Sequence, residues 1–239
     1  MKPAPKHILI VNPNTTASMT EKIGICARSV SAAETRVTAV NPVSGPAAIQ
    51  GADDGEAALP GLYALVDEAM SSGIRYDALI IACFDDTGLW TLKKRLNIPV
   101  LGIGEAAYHL AAMSAERFSV VTTLPVSVPV LEDNLQRQGL AHRCGKVRAS
   151  SVPVLELEEA GLDAKRKIRS EIAKALAEDE AGAIALGCAG MADLARELAE
   201  EFKIPVIDGV AAATRFAEVA IDLSHMETVH DRDSLEFEP

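Results

Sequence analysis

The chain alternates short apolar runs with longer segments in which apolar residues recur at helical spacing. The first pattern predicts buried strands and the second predicts helices. Strands are expected at residues 7–12, 36–41, 77–83, 99–103, 118–123, 148–154, 183–188 and 205–209. Helices are expected at residues 16–31, 54–71, 87–96, 104–115, 126–139, 162–180, 190–202 and 210–223, followed by a polar, partly disordered tail. This alternation predicts an α/β protein with parallel sheets.

An internal repeat divides the chain into two related halves. Residues 77–107 align with residues 182–213, and each segment has an apolar strand that ends in cysteine, a turn, a helix and an Ile-Pro-Val strand. A second pairing aligns residues 8–16 with residues 118–126, where each strand ends in a turn rich in polar residues and Pro. Each half therefore offers one polar turn and one cysteine turn at the carboxyl ends of its strands.

Composition and charge narrow the class of protein. Only 4% of the residues are aromatic, so the core must consist of Val, Ile, Leu and Ala, which suits sheets covered on both faces. The net charge of −11 disfavours binding to nucleic acid and gives no attraction to a membrane surface. The N-terminal segment lacks the apolar run of a signal peptide, and no segment has the length of a membrane span, so a cytoplasmic location is expected.

The four cysteines are Cys26, Cys83, Cys144 and Cys188. In the cytoplasm they are expected to be free thiols. Their spacings contain no CxxC pair, so no metal site is predicted. Cys26 lies among apolar helix residues and is interpreted as core, whereas Cys144 lies in a polar stretch without a counterpart in the repeat. His109 is the only histidine expected near the strand ends, and packing within its helix is the simpler interpretation.

Cys83 and Cys188 are the candidates for catalysis. Ligands of parallel sheets bind outside the carboxyl ends of the strands, so two halves facing each other would place the two thiols on opposite walls of one cleft. That arrangement suits the removal and return of a proton by one thiolate and one thiol. Helices expected to begin near Thr87 and Gly190 would lower the pKa of each thiol. The alternative is that both cysteines fill the core.

Other residues of these turns are candidates for binding the substrate. Donors there would stabilise a developing enolate oxygen, and small residues would let the backbone approach the ligand. The predicted binding residues are Asn12, Asn14, Phe84, Asp85, Thr122, Thr123, Ala189 and Gly190. Turn formation, strand propensity and helix capping are alternative explanations for the Asn and Thr residues. Asp85 and Asp86 follow Cys83, and three roles are open to one of them: orienting the thiol, binding a substrate N–H, or capping the helix expected near Thr87.

Six segments spread along the chain carry a combined signature: NPNTTASMT (12–20), IACFDDTGL (81–89), RFSVVTTLPVSVP (117–129), VPVLELEE (152–159), LGCAGM (186–191) and PVIDGVAAA (205–213). Together they resemble the aspartate/glutamate racemase superfamily, in particular its hydantoin racemase branch. The resemblance implies two flavodoxin-like domains related by pseudo-twofold symmetry, one formed by residues 1–103 plus 209–239 and the other by residues 104–208. It also implies a cleft between them, catalysis by Cys83 and Cys188 without a cofactor, and a homo-oligomer.

The resemblance also indicates the reaction. Hydantoin racemases act on 5-monosubstituted hydantoins, and the similar allantoin racemases act on a hydantoin with a 5-ureido group. The C5–H of a hydantoin lies between a carbonyl and a ring nitrogen, so its carbanion is delocalised and a thiolate can remove the proton. The family often has Pro where this chain has Thr87, beside Cys83, so the shape of the pocket can differ from that of other members.

Other functions remain as alternatives on the same fold. A maleate isomerase-like enzyme would also use two cysteines, whereas a decarboxylase would need only the second. An amino-acid racemase would need cationic groups, which the strand-end turns lack. A non-catalytic small-molecule-binding protein would not need a duplicated cysteine. Proton exchange at C5 of a hydantoin in D₂O, without decarboxylation or geometric isomerisation, would distinguish the racemase from these alternatives.

Overall fold

Strands and helices alternate along the whole of residues 5–157 and 161–233, which the computed structural model describes. The strands are β1 (Lys6–Val11), β2 (Thr35–Val40), β3 (Ala78–Ile81), β4 (Val100–Gly102), β5 (Phe118–Thr122), β6 (Cys144–Ala149), β7 (Ala183–Gly187) and β8 (Val206–Asp208). The helices are α1 (Ala17–Val30), α2 (Ala52–Ser71), α3 (Leu89–Arg95), α4 (Ile103–Ser114), α5 (Val128–Arg137), α6 (Leu162–Glu178), α7 (Ala195–Phe202) and α8 (Gly209–Asp233). Short 3-10 helices occupy Pro125–Ser127, Val154–Leu157 and Ala189–Leu194.

The strands form two four-stranded parallel sheets with the same connectivity. The first sheet has the order β2-β1-β3-β4, and the second has the order β6-β5-β7-β8. In each sheet the first strand of the unit pairs with the next two strands of the chain, and all of these pairings are parallel. The predicted α/β fold with two related halves is confirmed.

The central strands are buried because helices cover both faces of each sheet. In β1, Ile8 and Ile10 pack on one face with residues of α1 and α8. Leu9 and Val11 pack on the opposite face with residues of α2 and α3. All four side chains are fully buried, which explains why this strand appears in the sequence as a continuous apolar run.

Helix α8 links the two sheets. It follows β8 of the second sheet but packs against α1, β1, β3 and β4, and it also packs against α4. Lys6 of β1 donates a hydrogen bond to Asp222 of α8 at 2.7 Å. Glu218 of α8 accepts hydrogen bonds from the backbone N–H of Ala32 and the hydroxyl of Thr35. The C-terminal helix therefore packs against the first half of the fold and forms hydrogen bonds with it. The domain limits expected from the sequence stay a prediction.

The extended segment expected at residues 148–154 lies earlier in the chain. The strand is β6, Cys144–Ala149, at the edge of the second sheet. The polar sequence of this strand resembles that of a loop, but its Arg148 is buried in ion pairs and is not exposed to solvent. The Arg148 guanidinium lies 2.6 Å from Asp179 and 2.7 Å from Glu178.

One further expectation about helices is wrong. The tail expected after Ser224 continues α8 to Asp233, and residues 234–239 lie outside the described residues. The helices expected at residues 126–139 and 190–202 are present, but each begins with a 3-10 helix before its α-helical part. Among the described residues, no helix is both long enough and apolar enough to cross a membrane.

Candidate active site

The two sheets present one cysteine each to a single cleft. Cys83 lies just beyond the end of β3, and Cys188 immediately follows β7. Both residues line one cavity at the carboxyl ends of the strands. Neither cysteine is in a disulfide, and both are partly buried. A small molecule in this cavity would have a cysteine from each half of the fold beside it.

A tight turn after β3 fixes the position of Cys83. The backbone N–H of Asp86 donates to the carbonyl of Cys83 at 3.0 Å, and Asp86 has a φ of 53°. The Asp86 carboxylate accepts hydrogen bonds from the N–H groups of Gly104, at 3.0 Å, and Glu105, at 2.8 Å. A Cβ on Gly102 would lie only 1.9 Å from a carboxylate oxygen of Asp86, so glycine is required there. Asp86 therefore caps α4, and not the helix expected near Thr87, which no side chain caps.

Thr87 contacts the thiol of Cys83 instead of capping a helix. Its hydroxyl donates a hydrogen bond to Cys83 Sγ at 3.6 Å. Helix α3 begins only at Leu89, after Gly88, and no side chain caps it. Thr87 is buried, so this hydroxyl and the thiol share a site shielded from water.

The environment of Cys83 disfavours its thiolate. Burial raises the pKa of the Cys83 thiol well above its ordinary value, and the negative charge of Asp85 raises this pKa further. The hydrogen bond from Thr87 acts in the opposite direction. The expectation that a helix N-terminus lowers this pKa is wrong, because α3 starts well after the turn and loss of hydration dominates.

Asp85 faces the cleft from the same turn. Burial raises the pKa of Asp85 to about 7, and a backbone hydrogen bond from Gly51 acts against this rise. The carbonyl of Asp85 accepts a hydrogen bond from the side-chain amide of Asn134, in α5, at 2.9 Å. A helix of the second half thus holds the cysteine turn of the first half in place.

The turn after β1 contributes Asn14 to the cleft. The side-chain amide of Asn12 donates to Asn14 Oδ1 at 2.8 Å and to the Thr20 hydroxyl at 3.0 Å. Asn14 Oδ1 also accepts a hydrogen bond from the backbone N–H of Thr16. Asn14 lines the cleft and Asn12 lies behind it, so Asn12 orients the side chain that faces the ligand space.

The predicted binding residues divide between the wall of the cleft and its support. Those that line it are Asn14, Phe84, Asp85, Thr123 and Ala189. Thr122 lies behind the wall, where its hydroxyl donates to the carbonyl of Gly187 at 3.0 Å. Gly190 is outside the set of lining residues, and a Cβ there would lie 3.3 Å from the Cβ of Leu157 and 3.6 Å from Cys188 Sγ. Whether each of these residues binds substrate stays a prediction.

Comparison with known proteins assigns the chain to a family. The model of the Asp/Glu/hydantoin racemase family matches residues 8–217. The chain belongs to this family. A hydantoin racemase of Rhizobium meliloti is 46% identical over 215 residues, which cover 90% of this chain and 88% of that protein. A hydantoin racemase of Pseudomonas sp. (strain NS671) is 41% identical over 219 residues, which cover 90% of this chain and 86% of that protein.

Solved structures share the architecture. The allantoin racemase from Klebsiella pneumoniae has a TM-score of 0.87 and 41% sequence identity, covering 92% of this chain and 89% of that one. The glutamate racemase from Campylobacter jejuni subsp. jejuni, with a TM-score of 0.59 and 17% identity, shares the fold alone. The family assignment identifies the chain as a racemase, and thus as an isomerase.

Some residues that line the racemase cleft gave no signal of their own in the sequence. They are Met19, Ile49, Ser127 and Val154. Met19, Ser127 and Val154 lie inside segments that carry the family resemblance, but each looks like an ordinary core or turn residue. Ile49 lies in the loop between β2 and α2, where no pattern marks it. These residues are recognisable only once the strand ends are brought together.

The remaining candidate residues lie away from the cleft. The thiol of Cys26 donates a hydrogen bond to Asp208 at 2.9 Å and packs beside the main apolar cluster. Cys144 is the first residue of β6, and the Nδ1 atom of His109 lies 2.9 Å from the carbonyl of Glu105 within α4. Within residues 5–157 and 161–233, no group of three or more His, Cys, Asp or Glu side chains is arranged to hold a metal ion.

Proposed function

We propose that this protein racemises 5-monosubstituted hydantoins without a cofactor, by two-base proton transfer between Cys83 and Cys188. The observation that carries this proposal is that both cysteines line one cavity at the carboxyl ends of two equivalent sheets. A racemase must deliver a proton to the face opposite the one from which it removed a proton. Two acid–base groups from opposite halves of a cleft meet that requirement.

The proton transfer balances between the two thiols. One cysteine is present as thiolate and takes the C5 proton, which leaves a carbanion delocalised over the adjacent carbonyl. The other cysteine is present as thiol and gives its proton to the opposite face of C5. The product leaves with inverted configuration, and the protonation states of the two cysteines are exchanged. The other enantiomer follows the same path in reverse.

Donors around the cleft are suited to stabilise the enolate that forms during the transfer. The side-chain amide of Asn14 and the hydroxyl of Thr123 lie on its wall. Backbone N–H groups of the turns that follow Cys83 and Cys188 would add to these donors, since Asp85 and Ala189 also line the cleft. Donors fixed before the reaction stabilise developing negative charge without reorganising, which is the largest contribution in many enzymes.

The charge of the cleft supports a neutral substrate. Asp85 is the only charged residue among those described as lining it, and no Lys, Arg or His is among them. A dicarboxylate or a free amino acid would place its carboxylate beside Asp85 without a cationic partner, which costs free energy in a buried site. A hydantoin ring carries no such charge. The hydantoin racemases among the relatives favour the same class of substrate.

Allantoin is a second candidate substrate. The structural likeness to the Klebsiella pneumoniae allantoin racemase favours it directly. Allantoin carries the same ring with a polar ureido group at C5, whereas Met19, Ile49 and Val154 give part of the cleft an apolar lining. This lining favours alkyl or aryl substituents, so we rank 5-alkyl and 5-aryl hydantoins first.

Polarimetry on optically pure 5-benzylhydantoin and allantoin tests the proposal. Cys83→Ser and Cys188→Ser should each reduce the racemisation rate by about a hundredfold or more, because serine is a far weaker acid–base group. Cys144→Ser is the matched control and should racemise at the wild-type rate, since Cys144 lies at the start of β6 and outside the cleft. Near-full activity in either cleft variant would contradict the two-base mechanism, and inactivity of the wild type on both compounds would contradict the substrate class.

The proposal includes three features expected from the sequence. The chain divides into domains at residues 103/104 and 208/209, the enzyme is a homo-oligomer, and it works in the cytoplasm. The course of α8, which returns to the first sheet, supports the discontinuous first domain. Light scattering of the purified protein measures the oligomeric state, and fractionation of the source cells measures the location.

A further inference from the structure

We propose that Asp85 accepts a hydrogen bond from the ring N–H next to the reacting carbon and so orients the substrate between the two thiols. This inference rests on the proposed hydantoin racemase function. It assigns to one side chain the recognition of a chemical group that every unmodified hydantoin carries at N1. It also predicts that hydantoins substituted at N1 are poor substrates.

The first observation is an acceptor without a donor. Asp85 Oδ2 is buried, and no group in the described part of the chain donates a hydrogen bond to it. Asp85 lines the same cavity as both cysteines. Buried carboxylate oxygens without a donor are unfavourable, and most buried polar groups in native proteins are paired. A donor on the ligand in the cleft would supply the missing partner.

The second observation is that the position of Asp85 is fixed from two sides. Asn134 of α5 binds its backbone carbonyl at 2.9 Å. The next residue, Asp86, uses both carboxylate oxygens on the N–H groups that begin α4. The two neighbouring acids therefore differ in their contacts. Both carboxylate oxygens of Asp86 accept hydrogen bonds from the backbone of α4, whereas Asp85 Oδ2 accepts none from the described residues. A fixed acceptor orients a ligand better than a mobile one.

The third observation identifies the donor. Asp85 and Cys83 belong to one turn, so an N–H that binds Asp85 must lie close to the carbon that Cys83 approaches. In a hydantoin the N1–H group is bonded through its nitrogen to C5, whereas N3–H lies across the ring between two carbonyls. The short distance along the turn therefore selects N1–H. A donor on a neutral ring also suits a cleft whose only charged lining residue, among those described, is Asp85.

N-methylated substrates test this assignment. The compounds are 5-benzylhydantoin and its 1-methyl and 3-methyl derivatives, each normalised by its non-enzymatic exchange rate at C5 in alkaline D₂O. With wild type, 1-methylation should raise KM about tenfold or more, because it removes the donor and leaves Asp85 Oδ2 unpaired. The 3-methyl compound should keep a KM close to that of the parent compound.

Two variants separate the hydrogen bond from a simple clash. Asp85→Ala should raise KM for the parent compound and bring the ratio of the 1-methyl to the parent KM close to one. Asp85→Asn keeps the shape and a neutral acceptor, and should retain part of the discrimination. Circular dichroism and thermal melting check that each variant is folded. The wild-type comparison of the methylated compounds stands even if a variant fails to fold.

Each outcome decides the inference. A wild type that accepts the 1-methyl compound as well as the parent, or that rejects only the 3-methyl compound, overturns the assignment of N1–H. An unchanged ratio in folded Asp85→Ala also overturns it, because the methyl group then clashes elsewhere. Failure of wild type on the parent hydantoin would instead remove the proposed function, so the two failures are distinguishable.

Discussion

Thr87→Val is expected to raise the pKa of the Cys83 thiol. The substitution removes the hydroxyl that donates to Cys83 Sγ at 3.6 Å but keeps the branched shape of a buried residue. Hydrogen bonds to charged groups contribute about 1.5–3 kcal/mol, and the long contact to sulfur reduces this to about 1 kcal/mol. Since about 1.4 kcal/mol corresponds to one pKa unit, the pKa should rise by about 0.7. At any pH below that pKa, the thiolate fraction should fall about fivefold.

The assay is the rate at which iodoacetamide alkylates Cys83 as a function of pH. Mass spectrometry of the Cys83 peptide separates this reaction from alkylation of the other cysteines. Because only the thiolate reacts, the rate reports the thiolate fraction directly. Thr87→Ser is the matched control and should keep a rate near wild type, since it retains the hydroxyl. Equal rates in wild type and Thr87→Val, or equal slowing in both variants, would refute the role of the hydroxyl.

Two further predictions concern stability. Gly102→Ala should lower the free energy of unfolding by about 2 kcal/mol, because the added Cβ would lie 1.9 Å from an Asp86 carboxylate oxygen. A Gly102→Ala variant that is as stable as wild type in urea unfolding would contradict this contact. Arg148→Met should cost about 3 kcal/mol at neutral pH, since it leaves Asp179 with the Ser119 hydroxyl but without its cationic partner. Arg148 holds the pKa of Asp179 below its ordinary value, so this stabilisation is present above about pH 4 and is lost as the pH falls through the lowered pKa. The difference between wild type and variant should therefore shrink in acid, and a pH-independent difference would contradict the ion pair.

The architecture was predictable because the repeat and the hydrophobic pattern agree. A continuous apolar run such as Ile8–Val11 occurs where a strand is covered on both faces, and the duplicated strand–cysteine–turn segment places Cys83 and Cys188 at equivalent sheet edges. A polar sequence is a poor guide to exposure where a charged side chain forms ion pairs with residues distant in the chain. Arg148 made β6 look like a loop, because its partners on and after α6 lie 30 and 31 residues further along the chain.

The roles of the acidic pair and of Thr87 depended on tertiary contacts. Asp86 caps α4, whose first residues lie 18 and 19 positions later in the sequence, and not the helix that follows it directly. Thr87 was expected to cap α3, but Gly88 lies between Thr87 and the first residue of that helix. The Thr87 hydroxyl instead donates to the thiol of Cys83. Local capping rules assign such residues to the nearest helix, and only the packed sheet shows which partner is in reach.

The transfer of the proton across the substrate is the central claim, and isotope incorporation measures it most directly. A single enantiomer of 5-benzylhydantoin is converted in D₂O to low extent, and deuterium at C5 is measured by NMR separately in the product and in the recovered substrate. Two bases on opposite faces predict deuterated product and substrate that still carries hydrogen, because Cys83 and Cys188 each serve one face. Deuterium at equal levels in both enantiomers from the first turnovers would show that one group serves both faces, and would contradict the mechanism.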